Sequence, residues 1–231
     1  MRVAPVLIAT FFPACTISTM PTGPLQYDSQ AIDRGTAETA KIHLNMGAGD
    51  LKVGSGTQKL LAAYFTYNVP SLKPEIRSST SANVASISIE QPSSRMHFGH
   101  LKYEWDLRLN DSVPLDLDVH FGAGEANLDI GSLALRSVTV DMGVGQLQMD
   151  LRGTPKHDYT VNVHGGVGEA VVRLPSNAGI EAYASGGIGE ISVHGLTRDG
   201  GRWVNEAFRG AGPKIRVRVE GGVGQIKLNA E

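Results

Sequence analysis

The chain runs to 231 residues, enough for one domain with a sizeable apolar core. Its 21 basic and 23 acidic residues nearly balance, which removes the electrostatic footprint of a nucleic-acid partner. No apolar run is long enough to span a bilayer as a helix, and 28 glycines describe a chain that turns often.

The first residues read differently from the rest. Arg2 precedes an apolar stretch from Val3 to Phe12, followed by Pro13-Ala14-Cys15. That order resembles a bacterial lipoprotein signal, in which cleavage before the cysteine frees a thiol for lipid. Ala14 fits the usual pattern, while Phe12 and Pro13 depart from it, and an ordinary secretory signal or a misplaced start are the alternatives. Cys15 is the only cysteine and has no partner within the chain. The expectation is a signal peptide over residues 1–14, lipid on Cys15, a polar tether over 15–38, and one domain over 39–231.

Within that domain one cadence dominates. Glycine, an apolar residue, glycine, then an acid or amide occurs six times. The copies are Gly47-Ala48-Gly49-Asp50, Gly122-Ala123-Gly124-Glu125, Gly143-Val144-Gly145-Gln146, Gly166-Val167-Gly168-Glu169, Gly187-Ile188-Gly189-Glu190 and Gly222-Val223-Gly224-Gln225. From first glycine to first glycine the steps are 75, 21, 23, 21 and 35 residues. Apolar residues alternate on either side of each copy. In the third, Val138, Val140, Met142 and Val144 precede a phase slip, and Leu147, Met149 and Leu151 follow it. Period two predicts strands with one buried face. The slip predicts a corner at which an extra residue turns the chain, with Val144 and its counterparts kept inside. The glycines serve as turn-formers, because no helix pattern follows them as a phosphate-binding fingerprint requires.

The predicted fold is all-β: a single-stranded right-handed parallel β-helix, or β-solenoid, of about 21–23 residues per coil. The first step leaves room for about three degraded coils, which take in the apolar runs Leu60–Tyr67, Val84–Ile89 and Tyr103–Leu109. The last step holds an excursion from Thr197 to Gly212, with Trp203 and Phe208, placed to cover the open end of the stack.

The Gly-apolar-Gly-acid copies, Leu174-Pro175 and the closing run Gly221-Gly222-Val223-Gly224-Gln225-Ile226-Lys227-Leu228 together resemble the bacterial toast-rack family. That family is related to the carboxy-terminal domain of LiaF-type envelope-stress proteins and to adhesin-like domains. The resemblance covers about residues 38–231 and implies a β-helical domain outside the cytoplasm, with no catalytic residues to transfer. Relatives often carry membrane helices, which this chain lacks, so a signalling role across a membrane does not transfer.

Two columns of outward residues follow from stacking the copies. The residue after each motif gives Asp50, Glu125, Gln146, Glu169, Glu190 and Gln225. Such a column could hold calcium between coils, but hydrogen bonding to corner amides is the favoured role because corner N–H groups need acceptors. The second column is Asn45, His120, Asp141, His164, Ser185 and Glu220. Imidazole and carboxylate are zinc ligands, so His120, Asp141 and His164 are the metal candidates, against the plainer reading of a solvated polar face. Near the carboxy terminus Lys214, Arg216, Arg218 and Lys227 join Arg202 and Arg209. They read as a charged cap on the stack or as a patch for anionic headgroups or wall polymers. Arg202, Trp203, Phe208, Arg216 and Arg218 are the candidate interaction residues.

The functional expectation is a non-enzymatic cell-envelope lipoprotein without a cofactor, acting as scaffold, adhesin or envelope-stress binding module. Its partners would be the membrane, through the lipid, and an envelope protein or glycan. The alternative is a polysaccharide-active enzyme using Asp116, Asp118, Asp129, Asp141 and Asp150. Neither a Gly-x-Ser-x-Gly nor a His-Glu-x-x-His signature occurs.

Overall fold

The computed structural model describes residues 22–93 and 101–231. The expected signal peptide, Cys15 and the first part of the tether lie outside the described residues. The described chain is all-β apart from two single 3₁₀ turns, and no helix in it is long and apolar enough to cross a membrane.

Thirteen strands form one sheet. They are β1 (Gln26–Ile32), β2 (Thr39–Ser55), β3 (Leu61–Tyr67), β4 (Glu75–Ser81), β5 (Val84–Glu90), β6 (Tyr103–Leu109) and β7 (Leu115–Asp129). The remainder are β8 (Leu135–Asp150), β9 (Tyr159–Leu174), β10 (Gly179–His194), β11 (Thr197–Asp199), β12 (Arg202–Val204) and β13 (Lys214–Ala230). The six long strands each carry one copy of the glycine motif and pair parallel in the order β2-β7-β8-β9-β13-β10. Motif lies on motif, for Gly49 faces Gly124, Gly145 faces Gly168, and Gly224 faces both Gly168 and Gly189.

The buried face follows the predicted alternation. Leu44, Val119, Val140, Val163 and Val219 form one row of neighbours across five strands, each at most 1% exposed. Each such side chain contributes about 1.5–3 kcal/mol relative to leaving it in water. At the amino-terminal end the core widens around Phe65, Tyr103 and Trp105. Phe65 meets Trp105 edge-on with ring centroids 5.7 Å apart, and the Tyr103 hydroxyl donates to the Leu72 carbonyl at 2.8 Å.

Several expectations need correction. The sheet is mixed and does not consist of parallel coils throughout. The segment expected to hold degraded coils is largely antiparallel: β3 pairs antiparallel with β1 and β6, and β4 with β5. Between them, β5 and β6 cover the outer edge of β2, with β5 along Thr39–Asn45 and β6 along Asp50–Ser55. In the gap between these two strands, Gln91 Oε1 accepts from the backbone N–H groups of Gly47 and Ala48, at 2.8 and 3.1 Å. One side chain thus supplies what a neighbouring strand would. Gln26–Ile32, expected in the tether, form β1.

The middle residue of each motif is the second correction. Val144, Val167, Val223 and Ile188 are 54, 48, 47 and 74% exposed. In β8 the buried positions run Val138, Val140, Met142 and then Leu147, so the phase slip falls at Gly143, before the middle residue of the motif instead of after it. The first glycine of each copy drops out of the pairing register, and the motif bulges outward, away from the core. Glycine is required there by close approach. At Gly145, with φ of +138°, an added Cβ would lie 1.9 Å from the Gly124 carbonyl oxygen.

The third correction concerns order. Successive strands do not always lie on their predecessors, since β13 inserts between β9 and β10. The excursion at 195–213 makes this possible by carrying the chain back along the first part of β10. There β12 pairs antiparallel with Glu181 and Ala182, and Asn205 pins the loop. Its Oδ1 accepts from Ile180 N at 2.9 Å and its Nδ2 donates to the Ala178 carbonyl at 2.7 Å.

Candidate binding surface

On the outer side of the corner three parallel rows cross the long strands. In spatial order the first is Asn45, His120, Asp141, His164, Glu220 and Ser185. The second is the apolar ridge Ala48, Ala123, Val144, Val167, Val223 and Ile188. The third is Asp50, Glu125, Gln146, Glu169, Gln225 and Glu190. Neighbouring members of a row sit one strand apart, about 4.8 Å.

The insertion of β13 decides the electrostatics of these rows. In chain order Glu169 would lie beside Glu190, an unfavourable like-charge pair. Gln225 separates them instead, and Lys227 Nζ reaches Glu169 at 2.6 Å. Amides thus stand between Glu125, Glu169 and Glu190, which disperses the oxygens a calcium ion would need. In the first row the same insertion brings Glu220 to 4.0 Å from His164. The row becomes an alternating ladder, with Asp141 between His120 at 3.3 Å and His164 at 3.0 Å.

The three predicted metal residues are therefore neighbours, but the outer two are separated by two strand spacings. Among the described residues, the group whose ligand atoms converge is His43, Asp118 and His120, all within 4.8 Å of one another. His43 was missed because it lies on β2, two positions before the row, and only the β2–β7 register sets it opposite Asp118.

The basic cluster is not an end cap. Lys214, Arg216, Arg218 and Lys227 lie on β13, inside the sheet, and two of the six arginines and lysines converge on one acid. Glu181, 7% exposed, accepts from Arg202 Nη1 and, at 3.1 Å, from Arg216 Nε. The Arg202 hydrogen bond leads in holding its carboxyl below the usual range, with Tyr183 and Arg216 adding to it against desolvation. Arg218 stacks over Tyr183 at 5.2 Å. Phe208 lies beneath Arg202 and Lys214, and Trp203 beneath Arg198 at 5.6 Å. Of the five aspartates named for hydrolysis, Asp118 and Asp141 belong to the histidine pairs, and Asp116 accepts from Ser137 Oγ at 2.8 Å. Asp150 is bound by Arg152, whose side-chain hydrogen bond lowers its pKa, the opposite of what a general acid needs.

Beyond Ala182, the far edge of β10 has no strand beside it among the described residues. Tyr183–His194 presents open backbone groups, with Ile188 74% and Ile191 39% exposed. A hollow lined by Met142, Val163, Ile191, Val219 and Ile226 opens beside it.

The glycine-stacked parallel strands and this edge can be set beside known proteins. Residues 21–173 match the family described as the N-terminal domain of toast_rack, DUF2154. The chain belongs to the toast-rack family. A candidate cell adhesion protein from Clostridium sporogenes shares the toast-rack architecture at 30% identity and a TM-score of 0.87, covering 90% of this chain and 100% of the other. A candidate adhesin from Bacteroides fragilis is 16% identical with a TM-score of 0.34, covering 90% and 98%. A candidate lipid binding protein from Parabacteroides distasonis is 8% identical with a TM-score of 0.28, covering 90% and 97%. No curated protein matches this toast-rack chain.

Proposed function

We propose that this protein is a non-enzymatic, extracytoplasmic adhesion module, anchored through Cys15, that associates with a second copy of itself by adding strand to strand at β10. The observation that carries the reading is the free edge over Tyr183–His194 with Ile188 and Ile191 in solvent. Open edges are a ready template for pairing, and most are blunted by charge. Here Glu190 is the only acid or lysine-type charge between Tyr183 and His194. Gly187-Ile188-Gly189 reads the same in both directions, so a two-fold axis at Ile188 sets glycine near glycine and isoleucine beside isoleucine. The description of the Clostridium sporogenes relative as a candidate cell adhesion protein agrees with a binding role. On the same reading the long strands are coils of a right-handed solenoid that bend at their motifs.

Sedimentation of the purified domain tests this. The wild type is expected to sediment as a dimer at high concentration, and Ile188→Lys as a folded monomer. A wild type that stays monomeric at every accessible concentration removes the homotypic reading. Mass spectrometry of the mature amino terminus tests the anchor separately, with a diacylglycerol on Cys15 expected.

A further inference from the structure

We propose that His43, Asp118 and His120 form a binding site for a single divalent transition-metal ion, with zinc the best match to the donor set. His43 Nδ1 lies 3.1 Å from Asp118 Oδ2, and His120 Nε2 lies 3.4 Å from Asp118 Oδ1. Zinc bonds nitrogen and oxygen at about 2.0–2.2 Å, so two ligand atoms of a tetrahedral site stand about 3.3–3.5 Å apart. The two separations, 3.1 Å to one Asp118 oxygen and 3.4 Å to the other, lie close to that length, and a turn of the carboxylate presents one oxygen to both rings. The third edge joins the two imidazoles, whose ring centroids are 5.1 Å apart and whose ligand atoms are within 4.8 Å. Rotation of these two half-buried rings closes it.

A second feature points the same way. The other ring nitrogen of His120, Nδ1, lies 3.3 Å from Asp141 Oδ2, and Asp141 Oδ1 is held by His164 Nδ1 at 3.0 Å. A carboxylate behind a metal-binding histidine sets its tautomer and raises its basicity. In the zinc-bound site Nε2 ligates the ion beside Asp118, and Asp141 stands where it accepts from Nδ1. The ladder that the sequence suggests as a ligand set thus becomes support: His120 is the ligand, Asp141 its positioning residue, and His164 the anchor of Asp141. Two nitrogen donors and one carboxylate disfavour calcium and magnesium, which take oxygen ligands. His43 and Asp118 also line a groove with Ser78, Ser86 and Ser88, through which water or a partner's donor would reach the ion and complete the shell.

Titrating zinc chloride into the full chain in chelator-free buffer, read by calorimetry, tests the site. One ion per chain is expected. His43→Ala and His120→Ala should abolish that uptake, while Asp141→Ala should weaken it about 10–100-fold. His164→Ala should change it less than about tenfold, since His164 acts only through Asp141. All four side chains are outward, and unchanged metal-free melting curves separate loss of the site from loss of the fold. Absent uptake by the wild type overturns the proposal. So does uptake that survives His43→Ala but not His164→Ala, which would return the ion to the His120–Asp141–His164 row.

Discussion

Gly168→Ala places one methyl group at one of the tight backbone contacts of the stack. The residue sits on β9 with φ of +145°, a conformation almost confined to glycine. Forcing alanine into it costs about 1–3 kcal/mol. The added Cβ would also lie 1.8 Å from the carbonyl oxygen of Gly145 and 2.8 Å from its carbon. Both are backbone atoms of β8, so no rotamer change relieves the clash. Retreat is blocked on the other side, where β13 packs equally closely, with the Gly168 oxygen 1.8 Å from where a Cβ on Gly224 would stand. Local loss of one or two strand hydrogen bonds adds about 1 kcal/mol each. The total is about 2–5 kcal/mol, or a fall in Tm on the order of 10 °C for a domain of this size. Urea unfolding of Gly168→Ala beside Gly201→Ala is the assay. Gly201 has no positive φ and nothing within 4 Å of an added Cβ, so its variant should stay within about 0.5 kcal/mol of wild type. Equal midpoints for the two variants would refute the stacking argument.

Val144→Asp should cost less than about 1 kcal/mol, because the side chain is 54% exposed on the outer ridge. Val140→Asp, on the same strand but with the native side chain 0% exposed, should cost several kcal/mol, and equal urea midpoints would contradict the assigned faces. The pKa of Glu181 is depressed in the fold, so its contribution to stability is full above the ordinary value of 4.5 and is lost as pH falls through the folded value. Glu181→Gln should therefore melt below wild type near neutrality, and the gap should narrow as pH drops below about 4.5; a constant gap across that range would exclude the linkage.

Much of the architecture was legible because period-two alternation and glycine at a strand corner are local properties. Val138, Val140, Met142, Leu147 and Met149 are inside as their spacing predicts. Val144 is not, because alternation alone does not say on which side of a bulge the phase changes. The antiparallel strands between Ser55 and Leu115 escaped notice because short apolar runs such as Val84–Ile89 fit a parallel or an antiparallel neighbour equally well. His43 was invisible as a site residue because its partner lies 75 residues away and two places along the motif frame.

The amino-acid sequence by itself determined that six strands would share one glycine corner, one buried face and one set of outward rows. Only the tertiary structure decided the order in which those strands stack. Each motif offers its neighbours the same backbone, so glycine does not distinguish one from another. The distinction comes from side chains that meet only after folding. Gln225 between Glu169 and Glu190, Arg216 against Glu181 and Glu220 beside His164 are contacts that exist only with β13 in its inserted place.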